Sequence, residues 1–260
     1  MSIKKISNTD ISDGTKLMLH CDGTDGSTSF PDASPSQHTV TAQADAQVDT
    51  AQKKFGTGSA LFDGTGDYLS IPDSADWDLF GDNTESITID FWVRHANTSS
   101  TQAYIAQWED TSIKWYIQLA SNRIYFEGYD GSELISCYNS STSTLTVDTW
   151  YHIAVIKVGT DYGIYLDGTQ IAYKSSSSEA TLASELLIGA TRQGGGSLYA
   201  PMNGHIDDMR YRKANCFNAS PVVGLTDTIT VPTSAHTVTA IKKISGQNQS
   251  DIAKISGVTK

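Results

Sequence analysis

Ile87-Thr88-Ile89-Asp90-Phe91-Trp92-Val93-Arg94 alternates without a break. Ile87, Ile89, Phe91 and Val93 fall on one side of an extended chain and Thr88, Asp90, Trp92 and Arg94 on the other, the period-two signature of a β-strand with one face in a core. Ile113, Trp115, Ile117 and Leu119 repeat the pattern against Lys114, Tyr116 and Gln118. Outward from these, strands are predicted at Leu17–Cys21, Ala60–Phe62, Tyr68–Ile71, Arg123–Glu127, Trp150–Val158, Gly163–Leu166, Leu186–Ile188 and His205–Arg212. Leu166-Asp167-Gly168-Thr169 carries the Asp-Gly pair that favours positive φ at both centres of a tight hairpin turn. About a dozen strands are too many for one open sheet, so the expected fold is all-β, two antiparallel sheets packed face to face. Trp92 and Tyr116, on otherwise polar faces, mark those faces as places for a second protein.

The 260 residues are 38% hydrophobic and 18% charged, an ordinary globular balance. No apolar run approaches the ~20 residues that span a bilayer, so membrane insertion by a helix is not expected. The net charge of −11 argues against nucleic acid, whose phosphates need clustered Lys and Arg. That charge is uneven: residues 1–7 contribute +2 and 241–260 contribute +3, which leaves −16 between 8 and 240. The N-terminal stretch lacks the apolar run of a Sec signal. Cys21, Cys137 and Cys216 are odd in number and far apart, the pattern of reduced, mostly buried thiols from a reducing cytoplasm.

The ends also carry a repeat. Ile241-Lys242-Lys243-Ile244-Ser245-Gly246 recurs as Ile252-Ala253-Lys254-Ile255-Ser256-Gly257, and Ile3-Lys4-Lys5-Ile6-Ser7-Asn8 opens the chain with the same phrase. Two Ile flanking one or two Lys are too few to fold alone and suited to docking on an acidic partner. The organisation expected is a basic docking segment (1–14), a sandwich (15–218), a Thr-, Ser- and Pro-rich linker or arm leaving it (219–240), and a docking tail (241–260).

Several phrases together resemble the laminin G-like or concanavalin A-like lectin/glucanase jelly-roll domains. These are Leu17–Gly23 with Phe30–Ser34, Gly58-Ser59-Ala60-Leu61-Phe62-Asp63-Gly64-Thr65-Gly66-Asp67-Tyr68-Leu69, Ile87–Val93, Trp150–Val155, Ile164–Gly168 and Gly204–Arg210. The resemblance covers 15–213 and implies a jelly-roll sandwich. The stretch 20–32 and the repeated ends resemble domains of tailed-phage virion proteins. This implies a non-enzymatic virion protein, assembled in a host cytoplasm and exposed outside on a head or tail. It would bind a host-surface glycan, dock through its termini to other virion proteins or sister chains, and form a homo-oligomer. A secreted carbohydrate-binding or matrix adhesion domain is the alternative.

A glycan-cleaving enzyme is disfavoured, because the family's glucanase branch places its carboxylates on an E-x-D-x-x-E strand that is absent. Glu85 and Asp90, at an odd offset, face opposite ways. For sugar binding, aromatic faces with planar polar neighbours on loops single out Trp108, Tyr129, Arg192 and Tyr199. Calcium is the other implication of the resemblance, as a structural ion shared by Asp22 and Asp207, with Asp63 and Asp67 as second choice.

Overall fold

The structure, a computed structural model, describes residues 14–143 and 145–237, and the backbone of 243–244 and 247–248. Its strands in chain order are β1 (Thr15–Leu19), β2 (Thr41–Gln43), β3 (Gln47–Asp49), β4 (Ser59–Asp63), β5 (Tyr68–Ile71) and β6 (Ser86–His95). Then come β7 (Gln102–Trp108), β8 (Ile113–Ala120), β9 (Arg123–Asp130), β10 (Glu133–Tyr138), β11 (Trp150–Val158) and β12 (Asp161–Leu166). Last come β13 (Thr169–Ser175), β14 (Leu186–Ile188), β15 (Thr191–Gln193) and β16 (Ser197–Tyr199), which pair only with each other, and β17 (Asn203–Arg212).

Two antiparallel sheets make the sandwich, as the alternation predicts. Sheet 1 runs β13-β12-β11-β6-β17-β4-β3 with β1 beside β17, and sheet 2 runs β10-β9-β8-β7-β14-β5-β2. Ile87, Ile89, Phe91 and Val93 from β6 meet Trp115, Ile117 and Leu119 from β8 and Ile124 and Phe126 from β9 in one core. Phe91 and Tyr104 stand with ring centroids 5.1 Å apart and Phe126 and Tyr162 at 5.8 Å, within the range where aromatic pairs add to simple burial. Asp167 (φ 46°) and Gly168 (φ 83°) are both left-handed and join β12 to β13, as the Asp-Gly pair predicts. Cys21 and Cys137 are buried, and all three cysteines are free. Among the described residues no helix is long and apolar enough to cross a membrane.

Two expectations about the outer face of sheet 1 are corrected. The first concerns residues 219–240, expected as an arm leaving the sandwich: their described part, with 214–218, is a strap folded across that face. Thr88 donates its hydroxyl to the Ala214 carbonyl (2.7 Å), and Tyr165 donates to Asp227 (2.6 Å). Gln170 exchanges side-chain hydrogen bonds with the Val222 backbone, and Thr228 bridges to Thr169. Ala219 and Ile229 complete a small core with Ala154, Ile156 and Tyr165. The Ile229 carbonyl passes so near Gly168 that a Cβ there would lie 2.6 Å from it. A Thr- and Pro-rich composition marks irregular backbone, but irregular backbone still packs when its polar groups find partners.

The second correction concerns Trp92, which is no open interface. It is 4% exposed, covered by Lys54 (3.7 Å from its ring) and the edge of Phe55. Tyr116, on sheet 2, is half-buried and donates its hydroxyl to Glu127.

Of the terminal repeat, Lys243–Ile244 pairs with Gln247–Asn248 as a two-residue ladder. Ile3, Lys4, Lys5, Ile6, Ile241, Lys242, Ile252, Lys254 and Ile255 lie outside the described residues.

Candidate functional site

A cavity of about 590 Å³ opens at one end of sheet 2, between the β7–β8 turn and the β15–β16 hairpin. Trp108, Glu109, Asp110 and Thr111 line one side, and Arg192, Gly195 and Gly196 the other. Its volume falls in the range of small-molecule sites.

Each wall is held by local chemistry. The Asp110 carboxylate accepts the backbone N–H groups of Ser112 (2.6 Å) and Ile113 (2.9 Å), an Asx-type closure of the turn. Glu109 accepts the Ala183 N–H (3.0 Å), tying the turn to the chain before β14. Opposite, Arg192 donates to Glu185 (2.5 Å) and to the Gly196 carbonyl (3.1 Å), and its guanidinium lies 5.8 Å from the Tyr68 ring. Gly195 and Gly196, at φ 80° and 79°, supply the left-handed backbone that lets the hairpin fold back to be caught by Arg192.

Antiparallel register sets Trp108 beside Lys114 and Lys114 beside Tyr129. The Lys114 ammonium sits 4.7 Å from the Trp108 ring and 5.3 Å from that of Tyr129, so one cation steadies two aromatics. Partial burial lowers the Lys114 pKa, with Asp110 and Glu127 opposing the shift. Tyr129 is raised, first by burial and then by Glu127 and Glu133.

The structure thus brings Trp108 and Arg192 to one cavity, with Tyr129 joined to Trp108 through Lys114. Tyr199 is 41% exposed on the same hairpin as Arg192, paired in register with Thr191 and outside the cavity lining. Sequence reasoning did not single out Lys114; the signal was its place between two aromatics on adjacent strands, which needs the register to be known.

Asp22 and Asp207 both serve the loop over residues 54–57. Asp207 accepts the N–H groups of Lys54 (2.7 Å) and Phe55 (3.0 Å), and Asp22 accepts the Thr57 N–H and hydroxyl. Asp63 and Asp67 hold turns in the same way. A hard cation needs six or more oxygen ligands, whereas these carboxylates face N–H and O–H donors. Among the described residues no three His, Cys, Asp or Glu side chains gather as a metal site. Asp207 is wholly buried with Oδ1 unpartnered, and desolvation, reinforced by Asp208, pushes its pKa up to about 7 against the lowering hydrogen bonds from Phe55 and Lys54.

A second charged constellation lies under the strap. Asp90, fully buried, accepts from Arg210 Nε (2.9 Å) and contacts Nε2 of His152 (3.1 Å) and of His236 (2.9 Å). Burial would push its carboxyl up, but His236, His152 and Arg210 hold it far below the usual carboxylate range. The His236 N–H donates to Asp208 (2.8 Å), which also pairs with His20 (2.8 Å). The group is sealed beneath residues 214–237 and fastens them down.

A model of the concanavalin A-like lectin/glucanases superfamily matches residues 63–214. No curated protein matches the sequence. Among solved structures, the binding domain of botulinum neurotoxin serotype D superposes with a TM-score of 0.59 at 14% identity, covering 79% of this chain and 49% of that one. The binding domain of Paraclostridial Mosquitocidal Protein 1 gives 0.58 at 16%, covering 78% and 49%. The binding domain of botulinum neurotoxin DC in complex with SialylT gives 0.57 at 14%, covering 78% and 48%. The chain therefore spans about half the length of these domains, and at such identities the likeness is one of fold.

Proposed function

The chain belongs to the concanavalin A-like lectin/glucanases superfamily, and on that premise we propose that it is a non-enzymatic carbohydrate-binding module whose site is the Trp108–Arg192 cavity. The observation that carries this is the cavity's composition: an indole fixed by a lysine with Thr111 on the same wall, and a braced guanidinium opposite. An aromatic face meets the apolar face of a sugar ring while polar groups around it take the hydroxyls.

The carboxylates of the cavity support binding over catalysis. A glycosidase needs one carboxyl to give a proton and another to attack or activate water. Here Glu109 and Asp110 adjoin in sequence and are each committed to backbone N–H groups that hold the turn. Asp90, with its histidines, is sealed from substrate.

We place the module on a phage-like virion as an adhesion protein for host-surface glycans. The basic phrase repeated at both ends, beside an acidic body, supports a chain displayed through its termini, docked to other virion proteins or sister chains. Removal of 1–13 and 241–260 is expected to abolish particle incorporation and reduce oligomer size while leaving glycan binding intact; unchanged incorporation and oligomer size overturn the docking role.

The direct test of the site is a glycan array followed by titration calorimetry on Trp108→Ala. The expected result is binding lost by at least ~10-fold, the weight of a stacked aromatic, with an unchanged thermal melt. Equal binding by the variant removes the cavity from the account, and no binding of any glycan by the wild type removes the function.

A further inference from the structure

The outer face of sheet 2 continues beyond the cavity, and its side chains form a track. Along β9, Tyr125, Glu127 and Tyr129 point the same way by alternation, and each is partly exposed. Register adds Gln118 and Tyr138 beside Tyr125, Tyr116 beside Glu127, and Lys114 beside Tyr129. Tyr125 and Tyr138 stack on each other with centroids 5.0 Å apart and planes 26° from parallel. Tyr138 lies on the edge strand of the sheet and is 44% exposed. Such a pair contributes nothing to the core on the other side of the sheet, where Phe126 and Cys137 already face inward.

Two physical arguments select an occupant. The first is length: the four residue steps from Tyr129 to Tyr125 cover ~13 Å at the rise of a strand, a distance bridged by a run of linked sugar rings and not by one ring in the cavity. Between the aromatic ends stand hydrogen-bonding groups, the Tyr116–Glu127 pair, Ser136 on Glu127 (3.2 Å) and Gln118, which suit a line of hydroxyls. The second is charge. Glu109, Asp110, Glu127 and Glu133 outnumber Lys114, Arg192 and Arg123 along the track, and Arg192 is already paired with Glu185. An anionic chain laid there meets repulsion, while an uncharged one does not.

We infer that the ligand is an uncharged linear oligosaccharide lying along β9, with one ring at Trp108 and its far end on the Tyr125–Tyr138 stack. This rests on the cavity being a sugar site and adds the class and direction of the chain that fills it. Anionic glycans, sialylated or built from uronic acids, are excluded as preferred ligands.

The experiment is calorimetry of the full chain against ladders of neutral glucose, mannose and N-acetylglucosamine oligomers, from monomer to about hexamer. Polyuronate and sialylated oligosaccharides form the anionic arm. For the neutral series that binds, affinity is expected to climb with length and then level off. Tyr138→Ala and Tyr125→Ala should lose about 5-fold or more on the longest oligomers, with the shortest unchanged and Tyr138→Phe close to wild type. Thermal melts of the variants check folding. Affinity that does not depend on length, tyrosine variants that bind long oligomers as well as wild type, or preference for an anionic arm each overturn the inference while the sugar site stands. Binding of none of the probes removes the site and the inference together.

Discussion

The two outer faces of the sandwich use similar strands to opposite ends. On sheet 1 three outward residues of β6, Thr88, Asp90 and Trp92, are buried, because the strap and the loop around Lys54 lie on them, and Arg94 toward the strand's end stays partly exposed. On sheet 2 the outward residues of β8 and β9 are Lys114, Tyr116, Gln118, Tyr125, Glu127 and Tyr129, and all stay partly exposed. Alternation in both sheets puts polar and aromatic residues outside, so alternation does not decide which face meets solvent. The segments outside the sheets decide: among the described residues, 54–55 and 214–237 cover the outer face of sheet 1.

Removing the charge at the centre of the covered face should do the most damage. Asp90→Ala takes the hydrogen-bonded carboxylate away from the buried Arg210 guanidinium and from His152 and His236, and a loss of about 3–5 kcal/mol is expected in denaturant melts. A loss below ~1 kcal/mol would show that the strap does not depend on this cluster.

Next comes Asp207. Its folded pKa of about 7 lies above the unfolded carboxylate value, so between the two the folded state holds the proton more tightly. Stability is therefore highest below pH ~4 as far as this group is concerned, and declines as pH rises toward 7, by up to ~4 kcal/mol. Asp90 acts in the opposite sense: its folded pKa is depressed, so its contribution is present above the unfolded carboxylate value and fades as pH falls. Asp207→Asn keeps an acceptor for Lys54 and Phe55 and should flatten the decline above pH ~4. An unchanged slope would show that Asp207 is ionised in the fold.

Ile229→Ala, which empties the small core between strap and sheet, should cost about 2 kcal/mol and raise hydrogen exchange in 214–237 before the rest. Uniform loss of protection would mean that strap and sandwich unfold as one.

The smallest effect expected is none: a calcium chelator should leave the melting temperature unchanged, since Asp22 Oδ1 and Asp207 Oδ2 already accept from N–H and O–H donors. A lower melting temperature on chelation would reinstate an ion there.

β6, β8 and β9 were legible, and so was the Asp-Gly hairpin, because each rests on local alternation or a local φ requirement. β7 was not. Gln102-Ala103-Tyr104-Ile105-Ala106-Gln107 is buried on both sides and shows no alternation of polar and apolar residues. Each glutamine is satisfied at long range, Gln107 by the Trp115 indole N–H (2.7 Å) and the Ser184 carbonyl (2.8 Å), Gln102 by the Asn203 N–H (2.8 Å). The strap was missed for the same reason, since its partners at Thr88, Tyr165 and Gln170 lie far off in sequence. At the site, Trp108 and Arg192 could be chosen by residue type, but their shared cavity and the Lys114 link follow from register alone.

The contrast between the faces can be read in one experiment, hydrogen exchange of the full chain with and without a saturating neutral oligosaccharide. Added protection is expected in the β7–β8 turn, along β9 and β10 and in the β15–β16 hairpin, with 214–237 unchanged. Protection confined to the strap side, or spread evenly over both sheets, would contradict the assignment of binding to the open face.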